Sequence, residues 1–217
     1  MAASGGPELA TSGLVFSVDS RNNKSYPGSG NTWYDQARVS NATLNGTFDT
    51  EKQAIKYVNN TGTFSPPLST FRDECTIETW FYMPSGGVYT GCCDTIFGTY
   101  WFRFFQIGVS HYTMIGFANP DGSYKTYQHP SFSIAYDSWH HTVGMRRADR
   151  YIIWIDGVEV YNGSFGTGDK LYGLNGTWYL SASSHTDLRI AAARVYDRGL
   201  TDAEILKNYS HFKNRYV

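Results

Sequence analysis

Carboxylates that could catalyse hydrolysis are scattered along this chain rather than paired. Cleavage of a glycosidic bond by two carboxyl groups needs them placed about the scissile bond, one as acid and one as base or nucleophile. Glu78 is alone on its predicted strand, and Asp156 and Glu159 flank a predicted turn. Acidic residues at a turn usually shape it and keep it solvated. We therefore expect no carboxylate-pair hydrolase, and no enzyme.

The thiols and imidazoles also lack the spacing of a nucleophile or a metal site. The cysteines are Cys75, Cys92 and Cys93, and no Gly-x-Ser-x-Gly segment occurs. Adjacent cysteines close only a strained ring, so we expect free thiols. His140 and His141 are neighbours on a predicted strand, where successive side chains point to opposite faces and cannot share one metal ion. We interpret His141 as a hydrogen-bonded structural imidazole.

Composition and charge favour a β-sheet protein and argue against several partners. Aromatic residues make up 17% of the 217 residues, and there are 22 glycines, a profile that suits short strands and tight turns. A net charge of -1 leaves no basic excess to neutralise phosphates, so we expect no nucleic acid. No apolar run approaches the ~18 residues of a membrane span. We expect no membrane partner, and residues 1–12 show no secretion signal.

Strand-like segments recur roughly every 10 residues, which is typical of an all-β sandwich. The segment Cys75–Tyr82 has apolar residues on both faces and should be a central strand. The pattern predicts an all-β fold, a two-sheet antiparallel sandwich with a short C-terminal helix. The predicted strands are Leu14–Asp19, Thr43–Phe48, Ala54–Val58, Cys75–Tyr82, Asp94–Phe97, Trp101–Val109, Tyr112–Ala118, Tyr124–Gln128, Trp139–Arg146 and Arg189–Tyr196.

The segment Tyr151–Tyr161 predicts a hairpin, because Asp156-Gly157 suits a two-residue turn with positive φ. Such a turn sets the register of the strands that flank it. One face would be core, and the other, which carries Trp154 and Tyr161, could line a groove. The predicted cross-strand pairs are Ile155 with Val158, Ile153 with Val160, Trp154 with Glu159, and Ile152 with Tyr161.

A helix is predicted to begin at Thr201. Thr201-Asp202-Ala203-Glu204 is a capping box, in which the threonine hydroxyl accepts from the Glu204 amide and the glutamate reaches back. Ile205, Tyr209 and Phe212 then lie at i, i+4 and i+7, which gives the helix one apolar stripe. We interpret this helix as a structural element that docks on the sandwich.

Two terminal signatures carry a resemblance to a known family. Tyr26-Pro27-Gly28-Ser29-Gly30 precedes Trp33-Tyr34-Asp35, and Ala193-Arg194-Val195-Tyr196-Asp197 lies near the other end. With Trp139-His140-His141 and the Tyr151–Gly157 segment, they resemble laminin G-like domains of the concanavalin A-like lectin/glucanase fold, in the form carried by bacteriophage virion proteins. The resemblance implies a jelly-roll domain over 13–217, after an arm at 1–12. His141 matches a histidine that recurs in the family.

Calcium is an open alternative that the resemblance raises. Many relatives bind Ca²⁺ through loop oxygens, and Ca²⁺ takes six to eight such ligands. The family commonly has an aspartate just before the Ala193-Arg194 stretch, where this chain has Ile190-Ala191-Ala192. We expect no cofactor. The aspartates that could supply oxygens are Asp19, Asp35, Asp94, Asp187 and Asp197.

Glycan binding would use exposed aromatic rings with a few polar neighbours. The candidates are Trp154, Tyr161, Trp101 and Tyr112, together with Tyr100. Aromatic residues also fill the core of a sandwich of this size, so each has that alternative role. The small residues of the arm are candidates for contact with partner subunits, and these are Met1, Ala2, Ala3, Ser4, Gly5 and Gly6.

Three classes of function compete on this scaffold: a virion structural protein, a free carbohydrate-binding lectin and an enzyme. The resemblance favours a non-catalytic bacteriophage protein, a capsid decoration subunit with weak adhesion to glycans. Its partners would be other virion proteins, such as the major capsid protein, and further copies of itself. Its location would be the virion, assembled in the host cytoplasm. The alternative is the free lectin module.

Overall fold

A computed structural model describes residues 9–58, 61–85, 94–107, 110–118, 121–128, 132–182 and 187–216. Within these ranges the chain forms strands and one C-terminal helix. In chain order they are β1 (Leu14–Asp19), β2 (Thr32–Trp33), β3 (Ala42–Thr43), β4 (Thr47–Asp49), β5 (Ala54–Tyr57), β6 (Gly62–Phe64), β7 (Phe71–Arg72), β8 (Cys75–Met83), β9 (Asp94–Gly98), β10 (Phe102–Ile107), β11 (Ser110–Ala118), β12 (Tyr124–Gln128), β13 (Phe132–Ser133), β14 (Ser138–Arg147), β15 (Arg150–Ile155), β16 (Val158–Ser164), β17 (Lys170–Tyr172), β18 (Trp178–Ala182), β19 (Leu188–Tyr196) and α1 (Asp202–Tyr216).

The strands form two antiparallel sheets, as the sequence predicts. Sheet A has the order β16-β15-β14-β8-β19-β5-β4, with β1 paired to β19, and sheet B has the order β2-β3-β6-β18-β9-β10-β11-β17-β7, with β12 and β13 paired to β11. The prediction that β8 is central is confirmed, since it lies between β14 and β19. Ile77 and Phe81 face the core, whereas Glu78 and Trp80 face the opposite side of sheet A.

The main core lies between the two sheets. Phe16 of sheet A stacks on Phe64 of sheet B, with ring centroids 3.6 Å apart, and Phe97 and Trp178 extend this aromatic packing. Fully burying one such side chain is worth ~1.5–3 kcal/mol. Many of the aromatic side chains therefore pack between the two sheets and hold them together.

Helix α1 forms a third layer on the outer face of sheet A. Its side chains Ile205, Asn208 and Phe212 are buried, and Tyr209 stacks on Trp80 with ring centroids 5.8 Å apart. Leu9 and Ala10 also pack on this face. The predicted docking of the helix is confirmed. No helix in the described ranges has the length and apolar character that a membrane crossing requires.

The hairpin β15–β16 turns at Asp156-Gly157, with φ values of 51° and 79°, as predicted. A side chain at Gly157 would also clash, because an added Cβ would lie 2.7 Å from Tyr209. The pairs Ile155–Val158 and Trp154–Glu159 are confirmed, but the two pairs predicted beyond them are wrong. A β-bulge leaves Val160 unpaired, so that Ile153 pairs with Tyr161 and Ile152 with Asn162.

The prediction of one continuous strand over Thr43–Phe48 is also wrong. The structure divides it into β3, which pairs with β2 and β6 in sheet B, and β4, which pairs with β5 in sheet A. Gly46 lies at this crossing. It packs closely against the β5 strand, where an added Cβ would lie 2.6 Å from the Lys56 carbonyl oxygen.

The capping box forms at the start of α1 as predicted. The Glu204 amide donates to the Thr201 hydroxyl at 3.3 Å, and the Thr201 amide donates to Glu204 Oε2 at 2.8 Å. Arg198 donates to both carboxylate oxygens, at 2.5 and 2.9 Å. The hydrogen bonds from Arg198 and Thr201 lower the pKa of Glu204 to about 2.

We expect the contribution of Glu204 to disappear in acid. A carboxylate with a lowered folded-state pKa stabilises the fold above its unfolded pKa and stops doing so as the pH falls through the folded value. The window here runs from the ordinary value of 4.5 down to about 2. Thermal unfolding of wild type and Glu204→Gln at a series of pH values should show a difference of ~1 kcal/mol at neutral pH that shrinks across this window. A constant difference would contradict the assignment.

Candidate functional site

Five aromatic rings line up on the surface of sheet B, and we call them the aromatic stripe. Tyr172 is at the middle, 4.0 Å from Tyr124 in a stacked arrangement, 5.6 Å from Phe71 and 5.1 Å from Trp101 between ring centroids. Tyr100 continues the line, 5.2 Å from Trp101 and edge-to-face with it. The contacts make one continuous aromatic surface.

Strand alternation places the inner members of the stripe. Tyr172 follows Leu171, and Trp101 precedes Phe102; both Leu171 and Phe102 are fully buried in the core. Because neighbouring residues of an extended chain point to opposite sides, the two aromatic rings face outward. Tyr172 pairs directly with Phe71 across β17 and β7, which puts their side chains on the same face.

Two glycines make room for the indole of Trp101. An added Cβ at Gly116 would lie 2.8 Å from Trp101 Cβ and Cε3, and one at Gly173 would overlap the indole ring. Gly173 also has a φ of 73°, which few residues other than glycine adopt. The backbone around Trp101 therefore fixes the ring in a slot.

The stripe is unusually exposed for an aromatic cluster. The exposed fractions of Tyr100, Tyr124 and Phe71 are 61%, 51% and 42%, respectively. A contiguous exposed apolar surface on a folded protein usually marks a binding site. Tyrosine suits such a site, because it offers an apolar face together with a hydroxyl that can hydrogen bond.

Charged groups lie at both ends of the stripe. The guanidinium of Arg103 is 5.2 Å from the centroid of the Tyr100 ring. At the other end Lys170, two residues before Tyr172 and thus on the same face, pairs with Asp73 at 3.7 Å. Both side chains of that pair are well exposed, so the pair itself adds little stability and its groups can reach a ligand.

The structure brings together only some of the aromatic residues proposed from the sequence. Trp101 is in the stripe, next to Tyr100. Trp154 is not an exposed ring: it is only 7% exposed and packs beneath α1 with Ile205 and Leu200. The expectation of a groove on that face of the hairpin is wrong, because the helix covers it. Tyr161 is partly buried and packs on the core beside Tyr151.

The remaining predicted positions lie outside the described residues. The side chain of Tyr112 is one of them, and so are Cys92 and Cys93. The proposed partner-binding residues Met1, Ala2, Ala3, Ser4, Gly5 and Gly6 are others. Their roles stay predictions.

Sequence reasoning missed Phe71, Tyr124 and Tyr172 as site residues. Phe71 and Tyr172 belong to strands of two and three residues, which are too short to show alternation. Tyr124 begins a correctly predicted strand, but the sequence of that strand does not show which of its faces is exposed. The sequence signal for Tyr172 was its position next to Leu171, because strand alternation turns Tyr172 outward when Leu171 is in the core.

A second cluster, which is polar and fully buried, centres on Glu78. Its Oε1 accepts from His141 Nε2 at 2.8 Å, and its Oε2 accepts from Asn208 Nδ2 at 2.9 Å. Arg194 Nη1 lies 3.5 Å from Oε1, and the Arg194 guanidinium stacks 4.2 Å from the Phe212 ring centroid. The cluster thus ties α1 to the outer face of sheet A. The interpretation of His141 as a structural imidazole is confirmed.

Burial alone would raise the pKa of the Glu78 carboxyl, but the charge of Arg194 and the hydrogen bond from His141 outweigh it and lower the pKa below its ordinary value. The carboxylate is therefore charged and acts only as an acceptor. Since the whole side chain is inaccessible, Glu78 cannot reach a substrate in this conformation. Its chemistry is that of a structural anchor.

The neighbouring histidine points the other way, as expected. His140 Nδ1 lies 2.8 Å from Asp156 Oδ2, and Nε2 lies 2.9 Å from the Ala135 carbonyl. A carbonyl oxygen can only accept, so Nε2 carries a proton. The two imidazoles therefore anchor different parts of the fold.

The candidate calcium ligands are each engaged separately. Asp35 accepts four backbone amides, from Ser17, Ala37, Val39 and Ser40. Asp19 pairs with Arg215, Asp187 with Lys56 and Arg189, and Asp197 with Arg72. The Asp94 side chain lies outside the described residues. Among those described, no group of three or more His, Cys, Asp or Glu could hold a metal ion.

Cys75 is a free thiol in the core, and burial raises its pKa. A thiol that is buried and protonated is a poor nucleophile. The expectation of a free thiol is confirmed at this position, and Cys75 serves packing.

Comparisons with solved structures agree on the architecture. The binding domain of Paraclostridial mosquitocidal protein 1 is 12% identical, with a TM-score of 0.68 over 91% of this chain and 52% of that chain. The botulinum neurotoxin D ligand-binding domain in complex with N-acetylneuraminic acid is 10% identical, with a TM-score of 0.67 over 91% and 50%. The botulinum neurotoxin DC binding domain in complex with rat synaptotagmin II is 12% identical, with a TM-score of 0.62 over 91% and 51%.

The chain spans about half the length of these structures, and at these identities they show the fold alone. A search of curated proteins found no significant match. A laminin G model described as the concanavalin A-like lectin/glucanases superfamily matches residues 58–206, more than half of the chain. The sheets, the helix and this match agree, and the chain belongs to the concanavalin A-like lectin/glucanases superfamily.

Proposed function

We propose that this protein is a carbohydrate-binding module and that the aromatic stripe is its binding surface. The observation that carries the proposal is the continuous line of rings from Phe71 to Tyr100, with Trp101 held in a glycine slot. Exposed rings that are already fixed lose little conformational freedom when a ligand stacks on them.

The chemistry of the stripe suits a sugar. A pyranose ring has an apolar face that stacks on an aromatic ring, and hydroxyls around its rim that need hydrogen-bond partners. The phenols of Tyr124, Tyr172 and Tyr100 combine both properties. Lys170 adds an exposed cationic group at one end, whereas Arg103 is buried beside Tyr100. A structural relative solved in complex with N-acetylneuraminic acid supports a glycan as the ligand.

The proposed activity is binding and not hydrolysis. Glu78, a strand carboxylate considered for hydrolysis, is buried under α1 and committed to His141 and Asn208. A fold shared with glucanases does not confer their activity. The absence of catalysis stays a prediction, and incubation with β-glucans followed by reducing-sugar assay tests it.

A location on a bacteriophage particle, as a capsid decoration subunit, is the narrower form of the proposal. It rests on the resemblance of the terminal signatures. A surface with exposed aromatic rings is compatible with display on a particle, and equally with a free lectin. Mass spectrometry of purified particles decides between them: presence of the chain in virions supports decoration, and its absence leaves the free lectin.

Replacing Tyr124 by alanine should weaken glycan binding at least ~10-fold, which corresponds to ~1.4 kcal/mol. The loss combines one stacking contact, worth ~0.5–1.5 kcal/mol, with its buried area. A glycan array identifies the ligand, and isothermal titration calorimetry then measures the affinity. Because Tyr124 is half exposed, the variant should stay folded and lose at most the ~0.5–1.5 kcal/mol of its stacking on Tyr172.

The matched control is Tyr34→Ala, which removes a tyrosine that is 45% exposed and outside the stripe. Its affinity should equal that of the wild type. Equal losses in both variants, or no loss in Tyr124→Ala, would contradict the placement of the site on the stripe.

A further inference from the structure

A separate pocket lies between the β1–β2 loop and the β4–β5 turn, and we call it the loop pocket. Its volume is about 330 Å³, which is at the small end of ligand sites and suits one sugar ring. It is lined by Ser20, Arg21, Asn23, Tyr26, Gly28, Phe48, Thr50 and Gln53.

The Tyr-Pro-Gly signature builds one wall of this pocket. Gly28 and Gly30 have φ values of 91° and 93°, and an added Cβ at either would meet no atom within 4 Å. Packing therefore does not require glycine at these positions, whereas the left-handed backbone does. Because Gly28 has no side chain, the loop borders the pocket without covering it at that position.

Two aromatic rings border the pocket. Tyr26 and Phe48 lie 5.3 Å apart between ring centroids. Tyr26 is almost fully buried, and its hydroxyl donates to the Gly30 carbonyl at 3.2 Å. Tyr26 therefore supports Phe48 from behind, and the partly exposed ring of Phe48 is the apolar surface of the pocket.

The polar lining consists mainly of neutral groups. Asn23, Thr50 and Gln53 are exposed, and their amides and hydroxyl both donate and accept. Gln53 has a φ of 51°, a left-handed conformation that is uncommon outside glycine and is often found at functional sites. The Ser20 hydroxyl holds that backbone by donating to the Gln53 carbonyl at 2.6 Å.

The charged residue of the lining is already engaged. The Arg21 guanidinium donates to the Arg215 carbonyl at the end of α1 and to the Lys52 carbonyl, and stacks on Tyr216. Two of its three nitrogens are committed to these carbonyls, and the nearby carboxylate of Asp19 offsets part of its charge. The chemistry thus favours an uncharged ligand rich in hydroxyl groups.

We propose that the loop pocket binds one neutral saccharide unit, as a second site that is independent of the aromatic stripe. The two sites are associated with opposite edges of sheet B: the Tyr-Pro-Gly loop precedes β2 at one edge, and the stripe includes β7 and β17 at the other. Binding at the loop pocket does not depend on whether the stripe binds glycans.

The test is a set of NMR titrations of the ¹⁵N-labelled protein with methyl glycosides of glucose, galactose, mannose and N-acetylglucosamine, each at saturating millimolar concentration, with N-acetylneuraminic acid as the charged comparison. The expected result is saturable shifts of amides in 20–28 and 48–53 with at least one neutral glycoside. The same shifts should persist in Tyr124→Ala, which separates this site from the stripe.

Gln53→Gly is the decisive variant, because glycine accepts the positive φ and the substitution removes the side chain without straining the backbone. The Kd of the neutral glycoside at the loop pocket should rise at least ~10-fold, while the fold stays intact. Ala148→Gly is the matched control: it relieves a similar φ of 52° away from the pocket and should bind as the wild type. No shift with any neutral glycoside, shifts unaltered by Gln53→Gly, or stronger binding of N-acetylneuraminic acid would overturn the proposal.

Discussion

Glu78→Gln is expected to lower the free energy of unfolding by about 3–5 kcal/mol, the usual cost of breaking a buried ion pair by removing one partner. Glutamine keeps the shape of the side chain but not its charge. Arg194, which is fully buried, would lose its counter-ion, and His141 and Asn208 would each lose a charged acceptor. Because Asn208 also accepts from the Ala10 amide at 2.9 Å, the loss should loosen α1 and the N-terminal segment together.

Chemical denaturation measures this effect, and circular dichroism at helical wavelengths shows whether α1 detaches. Glu159→Gln is the matched control, because Glu159 is exposed on β16, and it should change stability by less than ~0.5 kcal/mol. A loss below ~1 kcal/mol in Glu78→Gln would contradict the reading of Glu78 as the anchor of the helix.

Asp35→Ala is the second large effect, with an expected loss of at least ~3 kcal/mol. Its carboxylate accepts four backbone amides, at 2.8 Å from Ser17, 2.9 Å from Ala37, 2.8 Å from Val39 and 3.0 Å from Ser40. Hydrogen bonds to charged groups contribute ~1.5–3 kcal/mol each, and amides left unpaired add a desolvation cost. The Asp35 carboxylate thus provides hydrogen-bond acceptors for four backbone amides.

Denaturant unfolding of Asp35→Ala should show the loss, and Asp35→Asn, which retains one carbonyl acceptor, should fall between it and the wild type. Asp73→Ala serves as control, because Asp73 is well exposed and pairs only loosely with Lys170. If Asp35→Ala were as stable as the control, the Trp33-Tyr34-Asp35 signature would not have the structural role assigned to it.

The fold was largely predictable from local pattern. Long strands such as β8 and β14, with nine and ten residues, are buried on both faces and are recognisable from their apolar residues. The capping box and the Asp156-Gly157 turn each identify an element by a few residues. Short strands were not predictable. Two- and three-residue strands such as β7 and β17 form because neighbouring strands offer free backbone groups, and a short sequence window does not contain that information.

The site was predictable only in part, for a related reason. Trp101 and Tyr100 could be named from the sequence, but Trp154 could not be distinguished from them, because what separates them is α1, which covers Trp154 from a distant part of the chain. Likewise, the sequence around Glu78 contains none of its partners. Arg194 and Asn208 belong to β19 and α1, which are distant in sequence and contact Glu78 only in the folded protein.

The most direct test of glycan binding on the aromatic stripe is a crystal structure of the protein with the glycan that the array identifies. We expect a sugar ring stacked on the aromatic stripe, in contact with Tyr124 or Trp101 and hydrogen-bonded to a stripe tyrosine or to Lys170. A glycan bound on the α1 side of sheet A with the stripe empty, or a cleaved glycan beside Glu78, would contradict it.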